Sequence, residues 1–284
     1  MTTSKLSDPS AGAVPTFGLI IVGDEILSGK RADKHLPKVI ELLGARGLAL
    51  SWARYVGDDP DRITADLKHA FASGDIVFSC GGIGATPDDH TRQCAARALG
   101  VPLALHPQAA GFIVQRMRDL AAEQGTPFDP DREDNRHRLE MGVFPEGADI
   151  VPNPYNKMAG FSVSASTGEG GVYFVPGFPV MAWPMIEWVL DTRYAHLHGS
   201  TAAREKSVIV FGAMEAALTP LMQDIEARFP GVRVFSLPSV DHPQWGRHIE
   251  LGVKGDASAL DAAYVFLRAG LETQGARCGP ELVR

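Results

Sequence analysis

The sequence predicts an α/β protein, with a three-layer domain built on a parallel sheet and a small α+β domain after it. Between residues 17 and 99, apolar runs typical of buried strands alternate with segments of helical periodicity. Such alternation is typical of right-handed βαβ units, which form a parallel sheet with helices on its faces. From about residue 207 the order becomes strand, helix, strand, strand, helix. This order favours a single antiparallel sheet.

The first part of the chain carries three predicted strands and three predicted helices. The strands are expected at 17–22, 48–56 and 75–80, and the helices at 32–46, 59–73 and 89–99. In the first helix, Val39, Ile40 and Leu43 recur at the spacing of one helix face. Gly47 and Gly74 follow the first two helices, where glycine is a common stop signal.

The remaining elements complete the two domains. Helices are predicted at 107–123, 131–140 and 181–190, a hairpin at 161–175 with its turn at 167–171, and a rigid turn at 176–179. The second domain is predicted to hold strands at 207–211, 232–237 and 247–253 and helices at 213–229 and 257–272. The resulting division is a flexible tail at 1–15, a first domain at 16–195, a linker at 196–206 and the α+β domain at 207–284.

Composition argues against a nucleic-acid-binding, a secreted or a membrane-spanning protein. The net charge of -7 and the pI near 5.7 argue against nucleic acid as a partner. The three cysteines, Cys80, Cys94 and Cys278, lack metal-ligand spacing, which favours a reducing, cytoplasmic location. No apolar run is long enough to span a membrane, and the first fifteen residues do not resemble a signal peptide.

The run GGIGATPDD at 81–89 follows a predicted buried strand and precedes a predicted helix. Free backbone N–H groups and the helix dipole make such a junction a phosphate site. Asp88 and Asp89 would repel a phosphate unless a divalent cation lay between them, and hard oxygen ligands favour Mg²⁺. The alternative is helix capping, with Thr86 as the N-cap. Capping does not account for the three glycines before it, so the phosphate hypothesis is preferred.

Two further loops are acidic and also follow predicted parallel strands. They are GDE at 23–25 and GDD at 57–59. Sites in parallel sheets gather at the carboxyl ends of the strands, so the three loops are expected to meet at one rim.

Four motifs in sequence order resemble those of the MoaB/Mog (molybdopterin-binding) fold family, in its CinA-type branch. They are GDEILSG at 23–29, VGDD at 56–59, GGIGATPDDHT at 81–91 and PGFP at 176–179. The resemblance covers about residues 17–190, and the C-terminal part is similar to the small second domain of that branch. The amidase domain of full-length CinA proteins is expected to be absent.

The resemblance implies two chemistries for one phosphate-gripping site. One is metal-dependent hydrolysis of a nucleotide pyrophosphate such as ADP-ribose or FAD. The other is binding of molybdopterin without turnover, in molybdenum-cofactor biosynthesis. The implied catalytic residues are Asp58 and Asp89, and the implied metal ligands are Asp24, Glu25, Asp88 and Asp89. The implied ligand-binding residues are Gly81, Gly82, Gly84, Thr86, Ser28, Thr91, Asn156, Pro176 and Gly177.

The sequence departs from the family pattern at four places. Ala85 replaces a proline, His35 an asparagine and Met181 a glutamate, and KMAG at 157–160 replaces a glycine-rich stretch. The acidic set favours catalysis, whereas the altered 157–181 region favours binding alone. A homo-oligomer is also predicted, because Trp183 and Trp188 are expected to be exposed and to suit self-association.

Overall fold

The computed structural model describes residues 15–165, 169–199, 204–255 and 257–283. The chain divides into two compact units, unit 1 (Met1–His198) and unit 2 (Gly199–Arg284). Three predicted features fall wholly or partly outside the described residues, namely the tail at 1–15, the turn at 167–171 and the linker at 196–206. The predicted domain boundaries stay a prediction.

Unit 1 is built on a six-stranded sheet and a two-stranded ribbon. The strands of the unit, in chain order, are β1 (Phe17–Val22), β2 (Leu50–Val56), β3 (Ile76–Cys80), β4 (Leu103–Leu105), β5 (Val143–Pro145), β6 (Asp149–Val151), β7 (Gly160–Ser164) and β8 (Gly171–Val175). The sheet order is β2-β1-β3-β8-β7-β6, and β4 pairs with β5 in a separate ribbon. The four strands β2, β1, β3 and β8 run parallel. Strand β7 pairs antiparallel with β8, and β6 pairs antiparallel with β7, so β7 alone runs against the other strands of this sheet. The predicted parallel sheet is confirmed, with two antiparallel pairings added at one edge.

Helices cover both faces of this sheet. They are α1 (Asp24–Leu27), α2 (His35–Gly44), α3 (Pro60–Ser73), α4 (Thr91–Leu99), α5 (Pro107–Glu123), α6 (Glu133–Glu140) and α7 (Pro179–Thr192), before a short 3-10 helix at Ala195–Leu197. Side chains alternate along β1, so that Leu19 and Ile21 pack with α2 and α7, and Ile20 with α3 and α4. The predicted three-layer arrangement is therefore confirmed. In the part of the chain that the structure describes, none of the helices has both the length and the apolar character needed to cross a membrane.

Helix α2 begins three residues later than predicted. The Asp33 carboxylate accepts hydrogen bonds from the backbone N–H groups of His35 (2.8 Å) and Leu36 (3.1 Å), and so caps the helix. Ile40 is 52% exposed, so its assignment to the buried face was wrong. The buried face includes Val39 and Leu43.

The expectation that Trp183 and Trp188 are exposed was wrong. Both side chains are partly buried against the core between α2, α7 and the sheet. They pack there because α7 is apolar on more than one side, which leaves little room for a solvent face. The predicted homo-oligomer loses this support and stays a prediction.

Unit 2 is an α+β fold on one antiparallel sheet. Its elements are β9 (Arg204–Phe211), α8 (Glu215–Arg228), β10 (Arg233–His242), β11 (Gly246–Gly255), α9 (Ala257–Thr273) and β12 (Arg277–Val283). The sheet order is β10-β11-β9-β12. The predicted βαββα order is confirmed, but β12 was missed. This edge strand contains Gly279 and Pro280, which argue against a strand in sequence, and its pairing with β9 is interrupted there.

Candidate functional site

A cavity of about 830 Å³ lies at the carboxyl ends of the parallel strands of unit 1. This main cavity is lined by residues 22–23, 25, 30–31, 58, 81–86, 88–89, 141, 156, 158–159, 176–178 and 181. The loops after β1, β2, β3 and β8 all contribute, as expected for a ligand site in a parallel sheet. Its size is that of sites for small organic ligands.

The turn after β3 requires glycine at its first two positions. Gly81 has φ 106° and Gly82 has φ 69°, a region that residues with a Cβ rarely adopt. A Cβ on Gly81 would collide with the Val22 carbonyl oxygen, and one on Gly82 with Thr91 Oγ1. The Gly81 N–H donates to the Val175 carbonyl (3.0 Å). The loop is therefore held between the ends of β1 and β8.

Four consecutive backbone N–H groups in this loop, at residues 82–85, donate no hydrogen bond to any part of the chain that the structure describes. All four residues line the main cavity. Adjacent free N–H donors beside a cavity form a binding site for an anion such as phosphate. Gly81, Gly82, Gly84 and Thr86, which were predicted to bind the ligand, lie together in this wall.

Two predicted ligand contacts do not line the cavity. Thr91 is fully buried, its N–H donates to the Gly82 carbonyl (2.9 Å), and its hydroxyl donates to the Gly81 carbonyl (3.1 Å). These bonds give Thr91 the role of fixing the loop, and its predicted contact with the ligand stays a prediction. Ser28 is exposed at the end of α1 and also lies outside the cavity lining.

The capping alternative for Thr86 was wrong, because α4 begins at Thr91. Residues 86–89 form a separate turn, in which Asp89 Oδ2 accepts from the Thr86 N–H (2.8 Å) and hydroxyl (2.5 Å). Asp89 lines the main cavity. One of its oxygens therefore shapes the glycine loop from inside the site.

The first two acidic loops are joined by reciprocal hydrogen bonds. The Asp24 N–H donates to Asp58 Oδ2 (2.9 Å), and the Asp58 N–H donates to Asp24 Oδ1 (3.2 Å). Burial raises the pKa of the Asp58 carboxyl above its ordinary value, the hydrogen bond from Asp24 opposes this, and the negative charges of Asp24, Glu25 and Asp88 raise it further. Like charges gathered around a partly buried carboxylate favour a cation.

The acidic side chains do not by themselves complete a metal site. Within the described ranges, no three or more His, Cys, Asp or Glu side chains converge closely enough to hold an ion. Glu25, Asp88 and Asp89 line the main cavity, whereas Asp24 lies just outside its lining and supports Asp58. The predicted divalent metal stays a prediction.

The opposite wall contains Asn156 and the turn at 176–177. Asn156 Oδ1 accepts from Asn153 Nδ2 (2.8 Å) and from the Met158 N–H (3.0 Å), and Asn156 Nδ2 donates to Met181 Sδ (3.2 Å). His35 Nε2 donates to the Gly177 carbonyl (3.0 Å). The predicted residues Asn156, Pro176 and Gly177 thus lie in the cavity wall. Met181 contacts Asn156 and His35 contacts Gly177, and both are residues that depart from the family pattern.

Lys157 adopts the left-handed backbone conformation, with φ 63°. It is the first residue of the stretch that departs from the family pattern, and its backbone adopts a conformation that usually favours glycine. Its ammonium pairs with Asp119 Oδ2 on α5 (2.8 Å). This pair lies at the surface, where an ion pair contributes little.

We expect Lys157→Gly to be more stable than Lys157→Ala by about 1 kcal/mol in the free energy of unfolding. Both variants remove the ion pair, and only glycine removes the strain of a positive φ. Urea denaturation of the two variants measures the difference. Equal midpoints would show that the backbone at residue 157 is not strained.

Arg92 is a buried residue of the site that the sequence predictions missed. Its guanidinium donates to the Gly84 carbonyl (2.6 Å) and to the Glu140 carbonyl at the end of α6. Burial lowers its pKa. It places a positive charge behind the glycine loop. A cation in the first turn of a helix is unfavourable because it opposes the helix dipole. An arginine at that place in the sequence therefore suggests a specific role, and this signal could have identified Arg92.

The sequence predictions also missed several residues that line the cavity. These are Lys30, Arg31, Ile83, Met141, Met158, Ala159 and Phe178. Ile83 and Phe178 lie inside the motifs at 81–91 and 176–179, and Met158 and Ala159 lie in the altered stretch at 157–160, but none of the four was singled out. Lys30, Arg31 and Met141 come from segments whose path depends on tertiary contacts.

Residues 18–196 match the family described as "Probable molybdopterin binding domain". This range is more than half of the chain. The chain belongs to this family. The predicted membership of the MoaB/Mog fold family, in its CinA-type branch, is thereby confirmed. A relative points to the same family: the chain is 32% identical over 209 residues to a CinA-like protein of Anaeromyxobacter sp. (strain K), across 72% of this chain and 48% of that one.

Two further comparisons bear on this molybdopterin-binding-domain protein. A Pyrobaculum calidifontis protein is 29% identical over 243 residues, covering 83% of this chain and 87% of its own length. That match is longer than unit 1 and so reaches into unit 2. The crystal structure of CinA from Thermoplasma acidophilum, a protein of unknown function, is similar in fold (TM-score 0.51, 24% identity, 63% of this chain and 97% of that one). The chain spans about half the length of the CinA-like relatives it matches.

Proposed function

We propose that the main cavity binds a nucleotide pyrophosphate together with a divalent cation and hydrolyses the pyrophosphate bond. The observation that carries this proposal is the meeting of two opposite features in one cavity. The free N–H groups at 82–85 suit a phosphate, and the carboxylates around Asp58 suit a cation.

The charge of the lining supports the need for a cation. Four carboxylates and two cationic side chains line the main cavity, and a bound pyrophosphate adds further negative charge. Mg²⁺ is commonly held by one or two carboxylates and by substrate phosphates, with water completing its shell. Such a site needs no cluster of three acidic side chains, in agreement with the arrangement of the described residues. Glu25 and Asp88 would hold the cation together with the phosphate.

The hydrolysis requires a group that accepts a proton from water. Asp58 would accept it as the water oxygen bonds to phosphorus, while the bond from phosphorus to the bridging oxygen breaks and two monophosphates leave. A raised pKa makes a carboxylate a better base near neutral pH. The cation, when bound, offsets the negative charge on the phosphate oxygens. Asp89 would keep the loop in shape through Thr86, and Arg92 would add positive charge behind it.

A second candidate function is binding of molybdopterin without turnover. The wall formed by Met158 and Met181 favours it, because neither side chain supplies a charged group to the reaction. Phe178 is 56% exposed at the cavity wall and offers a stacking surface for a pterin as well as for a nucleobase.

The test is hydrolysis of ADP-ribose and of FAD with Mg²⁺, Mn²⁺ or Co²⁺. We expect metal-dependent release of AMP, and loss of about 100-fold in rate for Asp89→Ala, since a displaced loop misplaces the phosphate. Asp61→Ala is the control, because the Asp61 side chain is 92% exposed and lies outside the cavity. Thermal melting verifies that each variant is folded.

The opposite result is also informative. A folded wild-type protein that releases no AMP with any of the three metals would contradict hydrolysis. Molybdopterin binding would then be measured, and a Gly82→Ala variant would be expected to lose it.

A further inference from the structure

A second pocket of about 360 Å³ adjoins the main cavity. This side pocket is lined by residues 25–26, 31–32, 34–35 and 177–179. It shares Glu25, Arg31, Gly177 and Phe178 with the main cavity. A ligand bound by the glycine loop can therefore extend past Arg31 and Phe178 into the side pocket and remain in contact with the protein along its length.

The two spaces differ in charge. The main cavity has more carboxylates than cationic side chains. In the side pocket, Arg31 and Lys34 face a single carboxylate, that of Glu25. Arg31 and Lys34 therefore attract an anionic group to the side pocket without a metal ion. In the main cavity, by contrast, an anionic group requires a cation to offset the carboxylates.

Arg31 and Lys34 are available for a ligand. Neither side chain forms an ion pair with any carboxylate in the described parts of the chain. The carboxylate between them in sequence, Asp33, is occupied by other hydrogen bonds. Its oxygens accept from the His35 and Leu36 N–H groups and from the Tyr55 hydroxyl (2.8 Å).

The rear of the side pocket contains a buried polar atom without a partner. His35 is 5% exposed and lines the pocket. Its Nε2 donates to the Gly177 carbonyl (3.0 Å), while its Nδ1 has no hydrogen-bond partner in the residues described. Because Nε2 carries the proton, Nδ1 of the neutral ring is an acceptor. Buried polar atoms normally have a partner, so this unmatched acceptor in the pocket wall points to a hydroxyl donor on the ligand, such as a ribose hydroxyl beside the phosphate.

We propose that the side pocket binds a phosphomonoester on the nucleotide part of the ligand. The preferred ligands are then nucleotide pyrophosphates that carry an additional phosphate on a ribose. Arg31 and Lys34 contact this phosphate and set specificity. The consequence for turnover rests on the proposed hydrolysis, whereas the consequence for binding does not.

The binding test compares adenosine 2′,5′-bisphosphate and adenosine 3′,5′-bisphosphate with AMP by calorimetry in EDTA. We expect at least one bisphosphate to bind about tenfold more tightly than AMP. The double variant Arg31→Gln/Lys34→Gln should lose this preference. The matched control is Arg62→Gln/Lys68→Gln, which removes the same two types of charge from exposed positions on α3 and should keep it.

The turnover test compares ADP-ribose 2′-phosphate with ADP-ribose. The readout is the ratio of their kcat/KM values, expected to be about ten in the wild type and near one in Arg31→Gln/Lys34→Gln. Equal binding of AMP and both bisphosphates, or an equal loss in the control, overturns the side-pocket proposal. Selective binding without turnover of either substrate overturns the proposed hydrolysis and leaves the side pocket supported.

Discussion

Replacing Asp58 by asparagine is expected to abolish turnover and yet to stabilise the folded protein at neutral pH. The loss of activity follows from the removal of the base, and we expect it to exceed about 100-fold. The gain in stability follows from the surroundings of Asp58, where burial and the charges of Asp24, Glu25 and Asp88 disfavour the ionised carboxyl. Asparagine keeps an oxygen that accepts from the Asp24 N–H.

The gain should depend on pH in a defined direction. The pKa of Asp58 is raised in the folded state above its ordinary value of 3.8. Its contribution to stability is therefore present below 3.8 and is lost as the pH rises through the folded pKa. Asp58→Asn cannot ionise, so its advantage in melting temperature should be absent below 3.8 and complete at neutral pH. An advantage of equal size at both pH values, or a less stable variant at neutral pH, would contradict this account. Asp61→Asn serves as the control.

Replacing Gly82 by alanine is expected to remove ligand binding. Alanine at φ 69° costs about 1–2 kcal/mol in backbone energy. Its Cβ would also collide with Thr91 Oγ1 and displace the hydroxyl that holds the Gly81 carbonyl, at a cost of about 1 kcal/mol for that hydrogen bond. The free N–H groups of the loop would then no longer point to a common place.

Gly100→Ala is the matched control. Gly100 has φ 72° at the end of α4, and a Cβ there meets nothing within 4 Å. Both alanine variants bear the same backbone cost, so their difference isolates the collision with Thr91. Calorimetric titration with ADP-ribose and thermal melting of both variants measure it. Binding by Gly82→Ala as tight as that by Gly100→Ala would show that the loop tolerates the displacement.

Much of the site was predictable because parallel strands end at one rim. Asp58 and Asp89 are far apart in sequence, and the alternation of strands and helices was enough to bring their loops into one cavity. The glycines were equally accessible to prediction, since a tight turn between a strand and a helix leaves few other choices at Gly81 and Gly82.

The remainder depends on tertiary contacts that sequence spacing does not report. Arg92 reaches the Glu140 carbonyl across 48 positions of the chain, and His35 reaches Gly177 across 142. Thr91 was predicted to touch the ligand because its motif position is that of a site residue. Whether its hydroxyl faces the cavity or the loop backbone is decided by how α4 packs beneath the loop.

Both acceptors of the Arg92 guanidinium are main-chain carbonyls. A carbonyl oxygen is present whatever side chain the residue carries, so the anchor behind the glycine loop is indifferent to the identity of residue 140. Among the residues of helix α6, all of which the structure describes, Asn135 is the only one that is buried, so packing places few demands on the other side chains. An insertion or deletion is different, because it shifts the last carbonyl of the helix away from the guanidinium. Natural variation in this segment is therefore expected to be rich in substitutions and poor in changes of length.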